Sequence, residues 1–409
     1  MKILVINSGS SSVKFTAFDM RDNTEMASGV VERIGLDNPQ LSYTDSRGSH
    51  IKRQVPVSDV RNAVGIIIGC LTNQEYGVVK VKKEIEAVGH RVVHGGEKIT
   101  ASVIVTDAVK SIIAEYGELA PLHNPPNLKG IEACEEFYPH AQQVAVFDTA
   151  FHTTIPDHAF LYGLPYSLYT QDRIRRYGFH GISHKYVSRE AARYIGQPLE
   201  KLKIITCHLG NGCSITAVDG GRSVDTSMGF TPLEGLIMGT RCGDIDPAIV
   251  FYLMEHKKLD HLQVNKLLSK HSGMLGLANI GSNDLRDIIE ARDRGDTQAD
   301  IAVRAFAYRI KKYIGSYVAA MGGLDILVFT AGIGENSPLI RSMACKGLNR
   351  PSGLGIMLDD EKNADGNCKL CAIHHDTSRV KVLVVPTNEE YEIAKETMHV
   401  VQNRDRIRT

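Results

Sequence analysis

One strand–turn–strand unit is written twice in this chain. Lys203 to Asp219 (KIITCHLGNGCSITAVD) opens on a lysine and runs through apolar Ile204 and Ile205 into the polar, glycine-rich turn His208 to Gly212. It leaves as the alternating string Ser214-Ile215-Thr216-Ala217-Val218, and the whole predicts a β-hairpin. Lys2 to Asp19 (KILVINSGSSSVKFTAFD) repeats the plan, with Gly9 and serines in a turn one residue longer. Turns of Gly, Ser and Asn are commonplace singly. The same unit recurring about 200 residues later points instead to two similar substructures. Such turns aim several backbone N–H groups to one side, a nest suited to phosphate oxygens. The pattern predicts a duplicated fold that holds a polyphosphate between its halves.

A length of 409 residues is too great for one ordinary core and suits two domains. Its 47 Lys and Arg are balanced by 47 Asp and Glu, so no net charge recruits nucleic acid or a membrane surface, and a small captured ligand is favoured. No run approaches the ~18 apolar residues of a membrane span, and Asn7 cuts Ile3 to Ile6 short of a signal-peptide core. The expected location is the cytoplasm. Eight cysteines do not make a disulfide scaffold at this length, and Cys207 and Cys213 beside the second turn read as small fillers. Cys368-x-x-Cys371 with His374 and His375 has zinc-knuckle spacing, but it lies among polar loop residues and reads as a surface loop.

Between the hairpins, Val60, Ala63, Val64, Ile67, Ile68 and Leu71 follow helical spacing after a cap at Ser58 or Asp59. Ala87 to Val93 reads as a strand with Arg91 inside it, where a cation must be paired or meet an anion. Asp107 to Leu119 is a second helical pattern, ended by the stiff Leu122-His123-Asn124-Pro125-Pro126. Asp148 follows the buried strand Val144 to Phe147, at the strand end where α/β sheets gather ligands; a turn or N-cap role is the alternative. His180 and His184 have i, i+4 metal-pair spacing, but Gly181 argues against a regular helix and no third ligand is apparent.

Arg241 sits in a long Gly-rich segment of the kind that carries function. The strand Asp325 to Thr330 feeds a third glycine turn, Ala331 to Asn336. After Val380 to Val385, a capping box from Thr387 to Glu390 accounts for Glu390 and leaves Glu389 unexplained. The absence of any Gly-Lys dipeptide excludes a P-loop. Three phosphate nests, two cations and oxygen ligands for Mg²⁺ are what phosphoryl transfer requires. The residues alone reach a two-domain ATP-dependent phosphotransferase and leave its acceptor open.

NSGSSSVKF, GHRVVHGGE, LAPLHNPPN, VFDTAFH, RRYGFHGISHKYV, IITCHLGNGCSI, DTSMGFTPLEGLIMGTRCGDIDPA, FTAGIGENS and PTNEE span nearly the whole chain. In these stretches it resembles the acetate/propionate kinase family, within the sugar kinase, heat-shock chaperone and actin superfamily. Ile182, where threonine is usual, and Ser8, where Ala or Cys is common, depart from the pattern without removing a charge.

The resemblance implies an α/β protein of two duplicated actin-like (ribonuclease H-like) domains with an active-site cleft between them: residues 1–149 with 387–409, and 150–386 carrying the nucleotide loops. It implies that Asn7 and Glu389 hold Mg²⁺, for which Mn²⁺ can substitute, that Arg91 binds the substrate carboxylate, and that Arg241 and His180 stabilise the moving phosphoryl. Asp148 would orient Arg91 or the metal shell. His208, Leu209, Gly210, Asn211 and Gly212, with Asp284, Leu285 and Arg286 and with Gly332, Ile333, Gly334, Glu335 and Asn336, would hold ATP or ADP, Lys14 and His123 adding positive potential. Val93, Leu122, Phe179 and Pro232 would form the acyl pocket, and two copies would pair through the C-terminal domain. A carboxylate acceptor is already ionised at neutral pH, so the reaction needs no general base, only relief of anion–polyanion repulsion. The implied partners are acetate, acetyl phosphate and the nucleotide.

Overall fold

The computed structural model describes residues 1–349, 353–366 and 369–408. They divide into two compact units, Met1–Thr153 with Asn388–Thr409, and Thr154–Thr387.

The first unit is built on an eight-stranded sheet of β1 (Lys2–Ser8), β2 (Ser12–Asp19), β3 (Thr24–Glu32), β4 (Gln40–Asp45), β5 (His50–Gln54), β6 (Ile85–Val92), β7 (Val103–Ile104) and β8 (Gln142–Phe147). Their order is β5-β4-β3-β2-β1-β6-β8-β7, with β6 parallel to β1 and β8 parallel to β6. Ile3 to Ile6 are all buried because helices cover both faces of the sheet. The helix Val60–Leu71 supplies Val64, Ile67 and Leu71 to one core with Leu4, Ile6 and Phe15, and Asp59 caps it by accepting from the Asn62 N–H. The C-terminal helix Glu389–Arg408 packs on β1, β6 and β8. It comes so close that a Cβ on Gly89 would stand 2.3 Å from Thr397 Oγ1.

The second unit carries β9 (Lys203–Leu209), β10 (Cys213–Asp219), β11 (Arg222–Thr226), β12 (Ile326–Thr330), β13 (Cys371–Ala372) and β14 (Lys381–Val384) in the order β11-β10-β9-β12-β14-β13. Stripped of edge strands, the sheets share one five-strand core, β3-β2-β1-β6-β8 and β11-β10-β9-β12-β14: three antiparallel strands, then two parallel ones. This is the duplicated actin-like, ribonuclease H-like α/β architecture. The hairpin registers agree residue by residue, Lys2↔Asp19 matching Lys203↔Asp219. Asn7 therefore faces Lys14 in one copy where His208 faces Ser214 in the other. The units also exchange closing helices. The chain leaving β8 forms the helix Gly181–Ile195 on β9 and β12, and the chain leaving β14 forms the C-terminal helix of the first unit. No helix among the described residues is long and apolar enough to cross a membrane.

Candidate active site

In the first unit the parallel strands β6 and β8 end side by side, and Asp148, one residue beyond β8, donates its backbone N–H to Val92 O at 2.9 Å. That register brings the Asp148 carboxylate to Arg91, whose Nη2 donates to Oδ2 at 3.0 Å. Glu389, the first residue of the C-terminal helix, lies 4.0 Å from Arg91 Nε. Burial opposes the charge on Arg91, but Asp148 and Glu389 outweigh it and hold the guanidinium protonated. Burial pushes the Glu389 carboxyl up to about 7 against the pull of Arg91, with Asp148 and Glu390 adding to the rise. Arg91 Nε is buried and has no hydrogen-bond acceptor among the described residues.

The surrounding loops are set by two asparagines of the helix Asn124–Phe137. Asn124 Oδ1 accepts from His94 N, and Asn127 Oδ1 accepts from Val93 N while its Nδ2 donates to Ser8 O. The helix N-terminus, the first glycine turn and the end of β6 are thereby tied together. Val93 is buried beside Arg91, whereas Leu122 is 61% exposed and His123 is exposed as well, both just ahead of that helix. Lys14 is exposed on β2 opposite half-buried Asn7.

In the second unit three histidines converge. His180 and His208 stack with centroids 4.2 Å apart. Ser214 Oγ lies 2.9 Å from His180 Nδ1 and 2.7 Å from His184 Nε2, and Ser183 Oγ lies 2.8 Å from His208 Nδ1. Contrary to the sequence reading, Gly181 opens a regular helix: His180 takes a left-handed conformation (φ 57°) as its N-cap, and His184 enters the first turns fully buried. Both rings bond to hydroxyls, and no group of three His, Cys, Asp or Glu side chains among the described residues could hold a metal ion.

The Arg241 guanidinium donates from Nη1 to Pro232 O at 2.8 Å. Burial lowers its pKa, and it makes no ion pair with a carboxylate among the described residues. A Cβ on Gly212 would lie 3.5 Å from His180 Cε1 and 3.6 Å from both Arg241 terminal nitrogens. A part-buried cation with no carboxylate partner among the described residues and an imidazole thus flank the glycine turn, an arrangement made for an anion. Phe179 is buried next to His180, and Pro232 is half-buried.

Beside that turn lies a cavity of about 550 Å³ lined by Gly210, Asn211, Asp284, Leu285, Arg286, Gly332, Ile333 and Asn336, among others. The structure thus brings together three segments that are far apart in sequence. Asn283 Nδ2 donates to Asn211 Oδ1 at 2.7 Å, and Asp284 clasps Arg286 through two side-chain bonds of 3.0 and 2.6 Å. Those bonds hold the Asp284 carboxyl down at about 2. The third segment is not a turn: Ala331 takes φ 62° and then begins a short helix, Ala331–Asn336. His208, Leu209, Gly212, Gly334 and Glu335 stand outside the cavity lining. His208 and Leu209 end β9, and the Glu335 carboxylate accepts from Thr387 N at 3.3 Å.

Residues 2–395 match the model of the Acetokinase family. The chain belongs to that family. It is 53% identical over 403 residues to the acetate kinase of Dictyoglomus turgidum, covering 98% of each chain. Its structure matches that of Porphyromonas gingivalis acetate kinase with TM-score 0.93 and 45% identity, covering 98% of this chain and 99% of that one. It also matches a propionate kinase from Francisella tularensis with TM-score 0.89 and 39% identity, covering 98% and 99%.

Within this acetokinase-family chain several supporting residues escaped the sequence reading. Arg341, buried, donates to Gly334 O, Glu335 O and Asn363 O, closing the end of the short helix Ala331–Asn336. Arg176 holds the Thr226, Ser227 and Met228 carbonyls and pairs with Glu234 at 2.6 Å, fixing the loop that leads to Arg241. Ser183, Thr206 and Ser214 were invisible as single hydroxyl residues; their contacts with histidines arise only where the helix Gly181–Ile195 meets β9 and β10. The cap of the last helix also differs, since Asn388, not Thr387, accepts from Tyr391 N at 2.9 Å. Thr387 Oγ1 instead lies 2.8 Å from Ser183 Oγ. Of the zinc-like cluster, Cys368 lies outside the described residues and Cys371 is disulfide-bonded. His374 Nδ1 accepts from Val382 N and His375 Nδ1 from Thr377 N, so local backbone occupies both rings.

Proposed function

We propose that this chain is an acetate kinase that transfers the γ-phosphoryl of ATP reversibly to acetate, giving acetyl phosphate and ADP by direct in-line attack. The observation that carries the reading is Arg91. It is a part-buried cation oriented by Asp148, and its Nε has no hydrogen-bond acceptor among the described residues, a guanidinium disposed for a carboxylate. A carboxylate acceptor is already ionised at neutral pH and needs no general base, unlike an alcohol.

On this reading the acetate carboxylate is held by Arg91 beside Val93, whose modest side chain favours a small acyl group. Arg241 and His180 donate to the equatorial oxygens of the moving phosphoryl, where positive charge counts most in the transition state. The cavity beside the second glycine turn takes the nucleoside, with the Arg286 guanidinium presented by Asp284, and the backbone N–H groups of Gly210 to Gly212 meet phosphate. Lys14 and His123 add positive potential, and Glu335 acts by anchoring Thr387.

The residues fit Mg²⁺ as the metal. Glu389 is a part-buried carboxylate with a raised pKa among Asp148 and Glu390, the condition that a nearby cation relieves. Asn7 and Glu389 are hard oxygen donors, and two protein ligands suffice for an ion that keeps waters and phosphate oxygens, with Mn²⁺ able to replace it. When bound, the ion neutralises charge on the phosphates. The protein works in the cytoplasm as a homodimer joined through its second unit. There the helix Ala248–His256 buries none of its side chains and exposes Ile249, Phe251 and Tyr252.

Trapping acyl phosphate with hydroxylamine, with Mg-ATP and acetate, propionate, butyrate or glycerol offered separately, tests the reading. Acetate should give the strongest signal. Because one methylene discriminates by only ~1–3 kcal/mol, propionate should react more weakly. A higher kcat/KM for propionate would instead assign the chain to the propionate kinase activity named for the Francisella structure.

A further inference from the structure

Three hydroxyl and imidazole groups behind His180 form a single file. Thr206 Oγ1 lies 2.7 Å from His184 Nδ1; His184 Nε2 lies 2.7 Å from Ser214 Oγ; Ser214 Oγ lies 2.9 Å from His180 Nδ1. Thr206 on β9, Ser214 on β10 and His184 are all fully buried. A hydroxyl has one proton, and a neutral imidazole carries one proton on one of its nitrogens. The file can therefore point only one of two ways.

In the first, Thr206 donates to His184 Nδ1, His184 Nε2–H donates to Ser214, and Ser214 donates to His180 Nδ1. The His180 proton then resides on Nε2. In the second, His180 Nδ1–H donates to Ser214, Ser214 donates to His184 Nε2, and His184 Nδ1–H donates to Thr206. The Thr206 hydroxyl proton would then need another acceptor, and none exists among the described residues. A buried donor left unsatisfied is costly, so the first direction prevails. A doubly protonated His180 would also have to donate from Nδ1 and would force the costly direction.

We propose that Thr206, His184 and Ser214 are positioning residues that lock His180 in its neutral Nε2–H tautomer, keeping it a hydrogen-bond donor to a phosphoryl oxygen without a proton taken from solution. This rests on the reading that His180 meets the moving phosphoryl. Around the ring, His208 of β9 stacks at 4.2 Å, His184 stands at 6.5 Å, and the Arg241 guanidinium flanks Gly212 with it.

Long-range ¹H–¹⁵N NMR on the ¹⁵N-histidine-labelled full chain, without substrates, tests the lock apart from the activity. His180 should keep a protonated Nε2 and an unprotonated Nδ1 across the range in which an ordinary histidine titrates, around pH ~6.5. A proton on Nδ1, or a ring that titrates near that pH, would overturn the proposal. In kinetics, Thr206→Val should lower kcat about tenfold with both KM values nearly unchanged. It should also make activity fall as pH rises through ~6.5, because only the protonated ring then assures an Nε2–H. Thr206→Ser should restore the wild-type profile. A Thr206→Val enzyme with unchanged kcat and pH profile would equally overturn the lock, whereas the expected NMR pattern in a protein that makes no acyl phosphate would sink the kinase reading alone.

Discussion

Arg91 and Asp148 meet across two parallel strands, guanidinium Nη2 to carboxylate Oδ2 at 3.0 Å, and the ion pair lies at the carboxyl ends of those strands. The placement follows from the architecture, since a parallel pair ends on one side of the sheet and loops there can converge. Asp148 uses one Arg91 nitrogen and Glu389 approaches another only to 4.0 Å, so the cation is aimed but not used up.

Arg91→Ala should therefore lower kcat/KM for acetate by roughly 10³-fold while nucleotide binding, measured by calorimetry with ADP, survives. Loss of ADP binding in a folded variant would contradict the assignment. Asp148→Asn keeps an acceptor for Arg91 and should be much milder than Asp148→Ala, which leaves the guanidinium without its orienting group.

Acid should destabilise the first unit through two buried histidines. His90, bonded to Gln143, and His94, stacked on Tyr116, are both pushed down to about 4 by burial. Their folded pKa values lie below the unfolded value of ~6.5, so the stability they contribute is present above that pH and is lost as pH falls towards about 4. The melting temperature should drop steeply across that window, and His90→Asn should flatten the slope by about one proton. An unaltered slope in that variant would show that His90 is not held neutral.

The sequence displayed the fold unusually well because a duplication is its own control. A turn such as Gly210 to Gly212 says little alone, but its partner at Gly9 to Ser12 sits in the same register of the same five-strand core. Arg91 was legible for a similar reason, since a cation inside an apolar run violates the pattern around it and burial makes such violations expensive, whereas Arg241 was legible only through the long Gly-rich segment that carries it. Ser183, Thr206 and Ser214 violated nothing. A serine on a strand is informative only once the histidine it faces is known, and that pairing depends on β9, β10 and the helix Gly181–Ile195 meeting in space. Gly181 misled because a glycine penalty of about 1 kcal/mol is small beside the packing of the fifteen-residue helix that it begins. The exposure of Leu122 was equally invisible, since an apolar residue in a proline-rich loop looks the same whether it faces core or solvent.

Gly239 should separate nucleotide binding from acetate binding. A Cβ there would stand 1.8 Å from Asn211 Oδ1, which accepts from Asn283 at the cavity wall. Gly239→Ala must displace Asn211 and break that bond, so KM for ATP should rise about tenfold with KM for acetate little changed. Equal increases in both would mean that the substitution disturbs more than the nucleotide cavity.

The helix Ala248–His256 gives the last prediction, because its apolar side chains are exposed where a helix normally buries them. Phe251 is 64% exposed, Tyr252 56% and Ile249 43%. In a two-fold dimer the same patch is used by both copies, so one substitution acts twice. Burying a phenylalanine side chain contributes ~1.5–3 kcal/mol, and Phe251→Glu would replace that gain with a charge to be desolvated on each side. The dissociation constant should rise by roughly 10²-fold or more, enough to turn a dimer into a monomer at micromolar concentration in light scattering coupled to size exclusion. Because the side chain supports no core within its own chain, the monomer should remain folded by circular dichroism. A Phe251→Glu protein that stays dimeric would move the interface elsewhere on the second unit, and a wild-type protein that is monomeric at all concentrations would remove the homodimer from the functional reading.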